Sequence, residues 1–145
     1  MALDIVHLSP DRIRQVNYAR DDRLVARLVE SMMKEGWTQR PLLVEEARDA
    51  SHTEYFAWTG SHRIEAAKQA KLPSIPCWVL RQHEADLAFE SAGYDLDSYS
   101  CWRDALGRGT RRQEWNRLEA LKNAGLGDAA DVLEQELAAT DGHVW

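Results

Sequence analysis

Three short runs rich in branched and aromatic residues constrain this chain most: PLLVEE (41–46), EYFAWT (54–59) and SIPCWVL (74–80). Their length suits strands better than helices, and turn or helix signals bound each one. Pro41 stands at the entry of the first, where a ladder donor is dispensable. The polar connection EARDASHT (46–53) separates the first two, and an alanine-rich helix beginning SHRIEAAKQA (61–70) separates the last two. Upstream, DIVHLSPDRI (4–13) reads as a strand followed by a helical turn with Pro10 at its first position. Leu24, Val25, Leu28, Val29 and Met32 then mark one face of an amphipathic helix from about Asp21 to Glu35, which Gly36 ends.

No strand signal follows Leu80. EADLAFESAGY (84–94), DSYSCWRDAL (97–106), TRRQEWNRLEALKNAGL (110–126) and DAADVLEQELAA (128–139) read as four helices. Thr110 and Gln113 form a capping-box pattern for the third, Trp115, Leu118 and Leu121 supply its apolar stripe, and Gly125 stops it. The sequence thus predicts an α+β core, a small mixed sheet with helices over residues 1–82, followed by a helical C-terminal extension over 83–145.

Charge divides along the same line. Residues 1–80 carry 11 basic and 11 acidic side chains, whereas 81–145 carry 7 and 13, so the net charge of −6 lies in the C-terminal part. That balance argues against indiscriminate coating of nucleic acid. No run approaches the roughly 18 apolar residues of a membrane span, so a cytoplasmic protein is expected. The five histidines and two cysteines show neither metal-ligand spacing nor a disulfide framework. Cys77, in mid-strand, reads as a small buried apolar residue.

The chemistry concentrates where EYFAWT meets the alanine-rich helix, at Thr59-Gly60-Ser61-His62-Arg63. A helix N-terminus presents unpaired N–H groups and about half a positive charge. Gly60 permits close backbone approach or a positive φ, and Ser61 suits an N-cap and can also donate to an oxygen ligand. His62 can donate, accept or shuttle a proton, and Arg63 offers a planar fork to a phosphate or carboxylate. Together they describe an anion-binding corner. The same residues also describe a plain turn, a cap and a solvated arginine.

The order LVESMMKEGWTQRPLLV … YFAWTGSHRIEAAKQAKLPSIPCWVL resembles the ParB/sulfiredoxin fold, over about residues 5–80. In that family a helix ends in glycine, a glutamine–proline segment enters a strand, a second strand runs into a Gly-x-[His/Arg]-Arg corner, and an IP-x-x-V strand follows an Ala-rich helix. The resemblance implies a nucleoside triphosphate, ATP or CTP, bound at Thr59, Gly60, Ser61, His62 and Arg63, with Gln39 and Arg40 lining the same pocket and Mg²⁺ held partly by the phosphates. Hydrolysis, phosphotransfer and conformational switching all stay open. Sulfiredoxin chemistry is not expected, because Ser61 stands where those enzymes place their nucleophilic cysteine. The kinase-like relatives carry an acidic residue before the glycine, where this chain has Thr59. A base has to come from elsewhere, and Glu30 and Asp21 or Asp22 are the candidates, while His62 positions or protonates.

Two other readings accompany this one. The first is a DNA-associated ParB-like binder or nuclease of plasmid or phage type, with Arg108, Arg111 and Arg112 of the basic island RGTRRQEWNR (108–117) contacting nucleic acid or a protein partner. The second is an interaction module that works through its acidic helices.

Overall fold

The computed structural model describes residues 4–15, 21–48, 53–58, 60–91 and 118–139. Five strands form one mixed sheet: β1 (Ile5–Leu8), β2 (Ile13–Arg14), β3 (Leu42–Arg48), β4 (Thr53–Ala57) and β5 (Ile75–Leu80). Their spatial order is β1-β5-β3-β4-β2. β5 runs antiparallel to β1 and parallel to β3, while β4 is antiparallel to β3 and parallel to β2. A 3₁₀ turn, Pro10–Arg12, with proline in its first turn, links β1 to β2.

Helices cover both faces, which is why Leu42, Leu43 and Val44 at the start of the central strand are consecutive apolar residues, all buried, and not an alternation. Leu42, Val44, Ala57, Cys77 and Val79 face a cluster completed by Val25 and Met32 of α1 (Asp22–Glu35) and by Ile64, Ala66 and Ala67 of α2 (Ser61–Gln69). Leu43, Trp58 and Leu80 point the other way. They pack on Ala85 and Ala88 of α3 (Gln82–Ser91), on Leu118 and Leu121 of α4 (118–123), and on Ala129, Ala130 and Leu133 of α5 (Gly127–Ala139). The C-terminal helices therefore share a core with the sheet.

Local chemistry sets the helix ends. Asp21 caps α1, its Oδ1 accepting from the Leu24 N–H at 3.0 Å, and Gly36 closes the helix at φ 73°. Glu84 accepts from the Arg81 N–H at 3.0 Å, which secures the start of α3 two residues earlier than the sequence suggests. β2, two residues that follow directly from the 3₁₀ turn, was not legible as a strand. The second of the four expected C-terminal helices and the Thr110–Gln113 capping box of the third lie outside the described residues.

Candidate functional site

The corner is built by a sharp reversal between β4 and α2. Gly60 takes a left-handed conformation, φ 83°, and serves as the N-cap residue of α2. A Cβ there would overlap Leu42 Cδ2 and lie 3.0 Å from the Arg63 guanidinium, so conformation and space both require glycine. With Gly60 in the cap position, Ser61 falls in the first helical turn. The expected cap by its hydroxyl does not form. Instead the Ser61 side chain is completely buried and its Oγ has no hydrogen-bond partner. Its carbonyl accepts from Gln15 Nε2 at 3.1 Å.

His62 turns toward α1, where its Nε2 accepts from the Asp21 N–H at 3.1 Å. The imidazole thus carries its proton elsewhere than on Nε2 and joins the first turns of two helices. Asp21 is committed twice, its amide to His62 and its carboxylate to the cap.

Arg63 is not solvated. The alanines of α2 let the helix lie close to the sheet, and the guanidinium is enclosed with only 11% of its side chain exposed. Its NH1 donates to the Arg40 carbonyl at 3.0 Å and its NH2 to Glu136 Oε2 at 2.9 Å. Burial pushes the Arg63 guanidinium below its ordinary value, opposed by the adjacent Glu136 carboxylate. The Arg40 side chain, half exposed, approaches the same Glu136 oxygen at 3.4 Å. Two guanidinium groups therefore converge on one anionic oxygen beside the N-terminus of α2, a donor arrangement that suits a phosphate oxygen equally well.

The remaining candidates are more dispersed. Gln39 is exposed and precedes Arg40 in the chain. Glu30 lies on the solvent face of α1, paired with Lys34 at 3.2 Å, and Asp22 is exposed in the first turn of that helix. Thr59, Arg108, Arg111 and Arg112 lie outside the described residues. Behind the corner, burial pushes the Cys77 thiol up to about 12, opposed by the Arg63 charge. The residue that sequence reasoning missed is Glu136, buried to 1%. Its signal was present: Ala129, Leu133 and Glu136 fall at i, i+4 and i+7, so a carboxylate occupies the apolar stripe of α5.

A separate open cleft of about 630 Å³ is lined by Glu46, Arg81, Gln82, His83 and Asp86, with Arg81 NH1 donating to Glu46 Oε2 at 2.9 Å. No group of three or more potential metal ligands occurs among the described residues. Among them also, no helix is long and apolar enough to cross a membrane.

Residues 1–92, which run from the chain start through β5 and α3, match the ParB N-terminal domain family. The chain belongs to that family. This ParB N-terminal domain is similar to the crystal structure of sulfiredoxin from Arabidopsis thaliana, at 30% identity over 54% of this chain and 85% of that one, with a TM-score of 0.45. It is also similar to the C-terminally truncated chromosome-partitioning protein ParB from Caulobacter crescentus, solved with CTP-gamma-S. That match has 17% identity, covers 96% of this chain and 89% of the other, and has a TM-score of 0.46. No curated protein matches the chain at a significant level.

Proposed function

We propose that this ParB N-terminal domain binds the phosphates of a nucleoside triphosphate, ATP or CTP, at the first turn of α2, with Mg²⁺ held partly by the phosphates. The observation that carries the reading is the convergence of Arg63 and Arg40 on a single anionic oxygen beside that helix end. A fully buried Ser61 hydroxyl with no partner stands in the same turn and supports it independently, since such a group costs roughly 1–3 kcal/mol unless something fills its need. Gly60 supplies the left-handed cap from which α2 starts, and Arg40 and Gln39 are exposed to solvent.

Binding is better supported than turnover. Glu30 is paired on an exposed face, and the Asp21 carboxylate caps α1. His62 would have to release the Asp21 amide before it could take a proton through Nε2. The geometry therefore favours occupancy that is sensed through the fold.

Calorimetric titration with CTP, ATP and ADP in Mg²⁺, against cytidine and adenosine as controls, tests the reading. Triphosphate binding with silent nucleosides is expected, and Arg40→Ala weakens it roughly tenfold by removing one charge-assisted contact. That side chain is 49% exposed, so the variant keeps its fold. Silence with every nucleotide, or equal binding of nucleosides, overturns the reading.

A further inference from the structure

We infer that Glu136 is a built-in competitor for the phosphate site, so that nucleotide binding and the docking of α5 exclude each other. The inference rests on the phosphate-binding reading above and concerns how that site is controlled. Glu136 Oε2 receives Arg63 NH2 at 2.9 Å and Arg40 NH2 at 3.4 Å, the contacts a phosphate oxygen would need. One oxygen cannot be replaced by another while the carboxylate stays in place, because Arg63 and Glu136 are both enclosed. A phosphate that reaches Arg63 has to displace Glu136, and with it the helix that carries it.

Two features of α5 suit it to that role. Its fully buried described residues are Ala129, Ala130, Leu133 and Glu136, two of them alanines, with Val132 partly buried against the same cluster. It also carries Asp128, Asp131, Glu134 and Glu136 with no basic residue, so a triphosphate at the corner repels the helix as well as competing with it. Release of α5 would remove its share of the cover over Leu43, Trp58 and Leu80, which α3 and α4 also pack against, and so converts nucleotide occupancy into a change of exposed surface.

The test compares wild type with Glu136→Gln, which keeps the shape and removes the charge, and it uses the full chain. CTP and ATP affinities are measured in Mg²⁺, and amide hydrogen exchange over residues 127–139 is followed in the wild type with and without nucleotide. The expected results are a roughly tenfold to hundredfold gain in affinity for Glu136→Gln, from loss of a charge-assisted competitor, and faster exchange in 127–139 when nucleotide is added to the wild type. Wild-type exchange keeps the inference testable even where the variant folds poorly. Equal affinities with unchanged or slower exchange overturn the competitor while leaving phosphate binding intact. Absence of binding in both proteins overturns phosphate binding, and the competitor with it.

Discussion

Removing the Arg63 guanidinium is the sharpest perturbation the structure offers. In Arg63→Leu, the Glu136 carboxylate, 1% exposed, stays in place and loses its 2.9 Å donor, while the Arg40 carbonyl loses its 3.0 Å donor. Breaking a buried ion pair from one side costs up to about 3–5 kcal/mol, and Arg40, which approaches the same Glu136 oxygen at 3.4 Å, offsets part of that loss. Against a total stability of roughly 5–15 kcal/mol, that is a large fraction. With a urea dependence of about 2 kcal/mol per M, the unfolding midpoint falls by up to roughly 1.5–2.5 M. The double variant Arg63→Leu/Glu136→Leu removes both charges and substitutes apolar groups, so it is expected to be more stable than Arg63→Leu and within about 2 kcal/mol of wild type. Urea unfolding followed by tryptophan fluorescence reads both, since Trp58 sits in the core that α5 covers. A cost below about 1 kcal/mol for Arg63→Leu would mean that the pair behaves as an exposed one, and the enclosure described above would be refuted.

Three further outcomes follow from the same geometry. Gly60→Ala adds a Cβ that overlaps Leu42 Cδ2 at φ 83°, and the combined strain and overpacking lower stability by about 2–4 kcal/mol in chemical denaturation; a neutral result contradicts the left-handed cap. Cys77, with its thiol pushed up to about 12 from an ordinary 9.0, stays protonated in the fold where the unfolded chain ionises. Its contribution is fully present below about pH 9 and is lost as pH rises toward 12, so unfolding free energy falls more steeply over that window in wild type than in Cys77→Ala. Glu30→Gln removes an exposed i,i+4 pair with Lys34 and shifts stability by no more than about 0.5 kcal/mol, with nucleotide affinity unchanged; a large loss of affinity would return Glu30 to the site.

Where the sequence was legible, one physical signal dominated. The 3.6-residue period of Leu24 through Met32 and the cap–glycine pair of Asp21 and Gly36 give α1 directly, and three branched runs give β3, β4 and β5. β2 escaped because Ile13 and Arg14 pair with Tyr55 and Phe56 only through tertiary placement, with no run long enough to show a period. The corner was found from its residue types, but its wiring was not. A Gly-Ser step does not announce which residue takes the cap, and the left-handed Gly60 shifts Ser61 into the helix and buries its hydroxyl. Arg63 reads as solvated in a short polar window; its enclosure depends on Ala66 and Ala67 drawing α2 down to the sheet and on a carboxylate 73 residues later. Glu136 itself is visible only as an exception on an apolar stripe, which acquires meaning once its partner is known to be a cation.

The most direct test of the central claim is an amide ¹H–¹⁵N spectrum of the full chain titrated with CTP or ATP in Mg²⁺. Phosphate binding at the corner predicts saturating shifts at the Ser61, His62 and Arg63 amides, accompanied by changes along residues 127–139 as the Glu136 contact yields. Shifts confined to Glu46, Arg81 and Asp86 around the open cleft, or a spectrum unmoved by either nucleotide, would contradict it.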